Sequence, residues 1–111
     1  MTMAENGARV PKELLRPWLL LLLGQSSGHG YALAERLRSF GADIGDPSIV
    51  YSALRRMEQA GLTTSTLHMP PRGPARRLYR LTPDGIEECA KWAACLEGMQ
   101  AWLTDTGSGG D

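Results

Sequence analysis

Apolar positions recur at helical spacing in several separate stretches of the chain. Leu14, Leu15, Trp18, Leu19, Leu22 and Leu23 lie along one side of a helix that Pro11 opens and that ends about Gly24. Leu20 and Leu21 fill much of its remaining circumference, so this helix needs cover on more than one side. Gln25 to Gly30 reads as a turn. Tyr31, Leu33, Ala34, Leu37 and Phe40 then mark a second helix, with Glu35, Arg36 and Arg38 on its wet side and Gly41 ending it. Val50, Ala53, Leu54 and Met57 form the apolar face of a third. Asp46 can cap its start, Pro47 suits its first position, and Gly61 stops it. Its opposite face carries Ser48, Tyr51, Ser52, Arg55 and Gln59, with Arg56 at the edge.

After Gly61 the period changes. Leu62 to Met69 is rich in threonine, which favours strands. Met69 to Ala75 holds three prolines and a glycine and reads as a turn. Arg76 to Leu81 alternates, with Arg77, Tyr79 and Leu81 on one side and Arg76, Leu78 and Arg80 on the other. Two short strands about a Pro/Gly tip predict a hairpin. Thr82-Pro83-Asp84-Gly85 opens a last helix expected to reach about Thr104. Its apolar arc, from Trp102 through Cys95, Met99, Trp92, Leu103, Leu96, Cys89 and Ala93 to Ile86, spans roughly 200°, twice what a surface helix needs. One part of that arc packs on its own domain; the rest asks for a second copy.

These elements divide the chain. Residues 1–10 are expected to form a flexible arm, 11–82 a domain of three helices with a hairpin wing at about 62–81, 83–104 a long helix with a face for a second copy, and 105–111 a flexible tail. A chain of 111 residues with 42% hydrophobic content forms one globular domain with a small core. No signal peptide is visible, and the run Trp18 to Leu23 is far too short to span a bilayer. Cys89 and Cys95, six apart, lack the spacing of a metal knuckle or a redox pair. The expected location is the cytoplasm, away from membranes.

The formal net charge of zero hides an asymmetry. Residues 46–81 carry six basic groups against two acids, whereas residues 82–111 carry Lys91 against six acids. The compact basic middle is the charge pattern a phosphate backbone selects. Two helices joined by a short Gly-containing link, the second with a basic polar face, form a helix-turn-helix signature. Arg and Gln on such a helix can read base edges in the major groove, and Ser can reach phosphate. A hairpin bearing Arg72, Arg76, Arg77 and Arg80 can lie along the backbone beside it. The alternatives at this stage are an ordinary amphipathic surface helix and a solvated edge strand.

The order helix, helix, basic helix, hairpin, long helix is that of a winged helix-turn-helix, an α+β fold that is mainly α. Three segments carry a closer likeness. LLLLGQSSGHGYALAERL, Leu20 to Leu37, is similar to the leucine run and His-Gly-Tyr turn of the PadR family of bacterial transcriptional regulators. DPSIVYSALRRMEQAGL is similar to that family's recognition helix, with Tyr51, Leu54, Glu58 and Gly61-Leu62 at matching positions. GPARRLYRLTPDG, Gly73 to Gly85, resembles its wing strand and the start of its dimerisation helix. Together the likeness covers about residues 12–104. The resemblance implies a homodimer joined by the C-terminal helices with help from the first, two recognition helices on a pseudo-palindromic operator, and repression. It implies DNA contacts from Ser48, Tyr51, Ser52, Arg55 and Arg56 on the helix, and from Arg72, Arg76 and Arg77 on the wing. The chain departs from members that carry a larger C-terminal helical domain, so any ligand site is expected at the dimer interface.

Enzyme chemistry finds no support in the residues. His29 and His68 have no nucleophile or paired acid placed beside them, no glycine loop cradles phosphate, and no metal set can be assembled. No cofactor is expected. Trp18, Trp92, Cys95, Leu96, Met99 and Trp102 form the expected dimer face. They either fill a dimer core or bracket a planar aromatic or hydrophobic effector, for which indole offers a wide apolar face and one N–H donor. A redox role for Cys89 and Cys95 is a further alternative. The expected function is therefore a homodimeric DNA-binding repressor whose interface controls the angle between its recognition helices. A winged-helix interaction module that does not bind DNA is the alternative.

Overall fold

The computed structural model describes residues 9–108, with side chains to Asp105. Its elements run α1 (Lys12–Gln25), β1 (Gly28–His29), α2 (Gly30–Ser39), α3 (Ser48–Gln59), β2 (Thr63–His68), β3 (Arg76–Leu81) and α4 (Pro83–Ser108). Helices α1 to α3 pack about one core. A small antiparallel sheet of order β1-β3-β2 closes its side. The β2–β3 register pairs Thr63 with Leu81 and His68 with Arg76, which makes the expected hairpin.

The core is the sum of the apolar stripes. Leu15, Leu19, Leu20, Leu22 and Leu23 of α1 meet Leu33, Ala34 and Leu37 of α2 and Val50, Leu54 and Met57 of α3. Ile44, Leu62 and Tyr79 complete it. Pro17 sits inside α1 and is itself buried, so that helix gives up one backbone hydrogen bond near its start.

The ends of α3 are closed as its residues dictate. Asp46 Oδ1 accepts a hydrogen bond from the Ser48 amide at 2.9 Å. Pro47 already has helical angles (φ −59°, ψ −17°). At the other end the Leu62 amide donates to the Met57 carbonyl at 2.9 Å and the Gly61 amide to the Glu58 carbonyl at 3.0 Å. Gly61 has a φ of +80°, so this is the paired C-terminal closure that a left-handed glycine permits. Buried Leu62 then leads directly into β2.

The start of α4 grips that same corner. Thr82 Oγ1 accepts from the Gly85 amide at 3.1 Å and donates to the Gly61 carbonyl at 2.6 Å. The Thr82 amide donates to the Leu62 carbonyl at 3.0 Å. The helix that leaves the domain is therefore anchored to the turn that ends α3.

Four sequence expectations change. The Gln25–Gly30 segment is not wholly a turn: Gly28 and His29 pair with Tyr79 and Leu78 as a third strand. Two residues are too short a run for any period to show. Tyr31 and Phe40 do not join the buried face of α2; they are 61% and 58% exposed. Tyr31 stands in the first turn and borders a groove beside Tyr51, and Phe40 follows the last helical residue and meets the Trp18 ring of α1. Helix α4 continues past Thr104 to Ser108, running through Gly107 as it does through Gly98. Finally, Arg9 and Val10 at the end of the expected arm are docked. The Val10 amide donates to the Asp43 carbonyl at 2.9 Å, and Arg9 Nε lies 3.3 Å from Asp43 Oδ2. Residues 1–8 of that arm and 109–111 of the tail lie outside the described residues. Among the described residues no helix is long and apolar enough to cross a membrane.

Candidate nucleic-acid interface

Helix α3 is amphipathic, and its wet side splits into two stripes. Residues four apart stack on one side of a helix, and neighbours diverge by about 100°. Tyr51, Arg55 and Glu58 form one stripe and turn toward the hairpin. Ser48, Ser52 and Arg56 form the other and turn toward the start of α1. The adjacent arginines Arg55 and Arg56 thus face different grooves, one on each flank of the helix.

The first groove, of about 740 Å³, lies between α3 and the wing. Tyr51 and Arg55 form one wall, and Arg76 and Arg77 of β3 the other. His29, Gly30 and Tyr31 close its end at the start of α2. Gly30 is required there by a close approach: a Cβ would enter the Tyr51 ring, 2.7 Å from Cδ1. That contact holds Tyr51 at the groove edge, 39% exposed.

Inside this groove the wing is tied to the helix. Glu58 accepts a hydrogen bond from the Ser65 hydroxyl, which stands 3.1 Å from each carboxylate oxygen. Arg77 Nη1 donates to Ser65 Oγ at 3.2 Å. Arg77 is therefore partly engaged by the protein, whereas Arg72 at the tip and Arg76 stand exposed and unpaired among the described residues. At the end of this groove the His29 ring donates from Nδ1 to the Arg77 carbonyl at 3.3 Å and stacks near His68, with centroids 5.7 Å apart. Both histidines brace the wing.

Burial, and next the Glu58 carboxylate, hold the Tyr79 hydroxyl above its ordinary pKa of 10.0, against the opposing pull of Arg77 and Arg55. The unfolded chain then ionises first. The stability Tyr79 contributes is complete below about pH 10 and is lost as pH rises through the folded-state pKa. Urea melts of the protein and of Tyr79→Phe, compared from about pH 9 to 11, are expected to show a steeper alkaline loss in the parent. Equal slopes would mean the hydroxyl is freely solvated.

The second groove, of about 970 Å³, runs between α3 and the segment from Arg9 to Arg16. Ser48, Ser52 and Arg56 line one side, and Lys12 and Arg16 the other. Ile49 also borders it and is 38% exposed. Nothing in the sequence alone assigns Ile49, Lys12 or Arg16 to the site. Lys12 and Arg16 do stand four apart on one helix, but nothing in their own stretch shows that α3 runs beside them.

The residues expected at the dimer face divide in two. Trp92 is half-buried against the domain's own core, while Cys95, Leu96, Met99 and Trp102 are exposed beyond it. Ile86 and Leu103, at 59% and 58%, extend that bare surface. Trp18 stacks instead on Phe40, with centroids 6.3 Å and planes 17° apart. Among the described residues no ring contact joins the three tryptophans. Both thiols are free, Cys89 half-buried and Cys95 exposed. No group of three or more potential metal ligands occurs among the described residues.

Residues 19–91 match the model of the transcriptional regulator PadR-like family. Among solved structures, a PadR-like transcriptional regulator from Bacillus cereus aligns with a TM-score of 0.73 at 24% identity, covering 85% of this chain and 91% of that one. A PadR family transcription regulator from Clostridium difficile aligns with a TM-score of 0.71 at 21% identity, covering 82% and 95%. Bacillus subtilis PadR, solved in complex with operator DNA, aligns with a TM-score of 0.65 at 21% identity over 72% of this chain and 46% of that one. No curated protein sequence matches the chain.

Proposed function

The chain belongs to the PadR-like family of transcriptional regulators, and from that premise we propose that it binds double-stranded DNA as a homodimer and represses transcription at a pseudo-palindromic operator. The observation that carries this reading is the exposed stripe of α3 beside the arginine-bearing wing. Arg55 stands where it can meet base edges, and Arg72 and Arg76 where they can meet phosphate. The Bacillus subtilis relative, solved with operator DNA, supports the same use of the fold.

Pairing two copies follows from the bare surface of α4. Met99 and Trp102 are 54% and 64% exposed, and the molecule measures 59 Å along its long axis against 33 and 21 Å across. A helix that projects beyond its own domain with an apolar face gains most by lying against another such helix. Two recognition helices in one dimer would then meet half-sites about 34 Å apart, one turn of DNA. A planar hydrophobic molecule among Trp92, Met99 and Trp102 would alter that spacing, and differential binding of a few kcal/mol suffices to shift such an equilibrium.

A gel shift with the DNA upstream of the protein's own gene, repeated at rising salt, tests the central reading. Binding is expected to weaken steeply with salt. No binding even at low salt would remove DNA from the picture. The dimer is tested by sedimentation of Met99→Glu, which places a charge on the exposed face without touching the core. We expect at least a hundredfold weaker self-association, since a desolvated unpaired carboxylate costs roughly 3–5 kcal/mol. An equally tight dimer would mean that another face pairs the subunits.

A further inference from the structure

The geometry points to a second phosphate-binding surface, formed by Lys12 and Arg16 of α1 together with Arg56 of α3. This inference rests on the DNA-binding reading above and extends it to residues on the first helix. A helix with its side chains is about 10–12 Å across, and the major groove is about 12 Å wide. A helix seated there has one sugar-phosphate strand on each flank. The wing, with Arg72 and Arg76, serves one flank only. On the other flank α3 turns Arg56, Ser48 and Ser52 toward a groove whose far wall is Lys12 and Arg16.

Charge and pairing favour an anion there. Lys12, Arg16 and Arg56 have no carboxylate partner among the described residues. Of the two acids at that groove, Asp46 is turned to the Ser48 amide as a helix cap. Glu13 is the remaining one. Arg9 at the groove's end is held by Asp43, which ties the start of α1 to the link before α3 and fixes the two walls relative to each other. Helix stability does not account for the cations. Lys12 stands in the first turn of α1, where a positive charge opposes the helix dipole. Such a surface suits the sequence-independent backbone of duplex DNA, since its groups are flexible cations and small hydroxyls.

The test compares the parent with Lys12→Ala/Arg16→Ala by fluorescence anisotropy, on operator and on random-sequence duplexes, from about 50 to 300 mM salt. The expected result is a loss of at least roughly tenfold on both duplexes, and a slope of log Kd against log salt reduced by about four, near one per phosphate contact with two contacts in each subunit of the dimer. The paired variant Lys12→Arg/Arg16→Lys keeps the charges and is expected to retain the parental slope. Both positions are exposed, and equal melting temperatures and sedimentation will separate a lost contact from a lost fold. A parent that binds DNA while the alanine variant shows the same Kd and slope overturns this inference and leaves the DNA reading intact. Loss confined to the operator also overturns it, because phosphate contacts carry no base preference. A parent that fails to bind either duplex at low salt overturns both.

Discussion

Arg55→Ala is expected to weaken operator binding by about 5- to 150-fold for each half-site, the range of roughly 1–3 kcal/mol that one good base-edge contact supplies. Binding to random-sequence DNA should fall far less. The reason lies in where the side chain stands. Arg55 is exposed on the α3 stripe that borders the wing groove, and among the described residues no acid pairs with it. Glu58 follows on the same stripe, but its carboxylate is occupied by Ser65. Arg72→Ala at the hairpin tip offers the contrast: a uniform loss on both duplexes and a salt slope lower by about two, one for each subunit of the dimer. Arg56→Ala belongs with a different groove. Because Arg55 and Arg56 share no partner, their effects on operator affinity should add to within about 0.5 kcal/mol in a double-mutant cycle. Strong coupling would show that both arginines meet the same DNA group and that the two-groove geometry does not survive binding.

Gly85→Ala is expected to produce the largest loss of stability from a single methyl group. A Cβ there falls against the Leu62 carbonyl oxygen, with the carbonyl carbon at 3.0 Å and Leu81 Cδ2 at 3.2 Å. The obstacle is backbone, and that carbonyl also accepts from the Thr82 amide, so no rotamer change relieves it. Overpacking of this kind costs about 3 kcal/mol at the upper end of its usual range. For a domain of this size that corresponds to a fall in Tm of roughly 12–24 °C. Gly98→Ala on the same helix is the control. Nothing lies within 4 Å of its Cβ, so the better helix former should raise Tm by a few degrees. Thermal melts by circular dichroism read both. A Gly85→Ala protein that melts at the parental temperature would mean that α4 can pivot away from the Gly61–Leu62 corner. A Gly98→Ala protein that melts lower would place that glycine in a tight helix–helix contact between subunits.

Much of this protein was legible because its signals are local. The three-to-four-residue spacing of Leu15, Leu19 and Leu22 needs no knowledge of the fold, and neither does that of Val50, Leu54 and Met57. The caps at Asp46, Gly61 and Thr82 are likewise set by neighbours two to five residues away. Threonine content places the first wing strand, and the alternation of Arg76 to Leu81 places the second. Tyr31 and Phe40 misled because spacing alone does not say how far along a helix its neighbours reach. Strand β1 was hidden because its two residues are a strand only by virtue of Tyr79 and Leu78, some fifty positions away.

The same distinction governs the candidate site. Sequence alone supplied the polar face of α3, the arginines of the wing and an apolar arc on the last helix too wide for one domain. Those depend on side-chain chemistry repeated along a single element. Tertiary structure alone decided that Arg55 borders the wing groove and Arg56 the groove beside α1, that Arg77 is tied through Ser65 to Glu58, and that Lys12 and Arg16 stand across a groove from Arg56. It also parted the tryptophans, sending Trp18 to Phe40 and leaving Trp102 bare on the projecting helix. Periodicity fixes which way a residue points from its own helix axis; only the packing of one axis against another fixes what it points at.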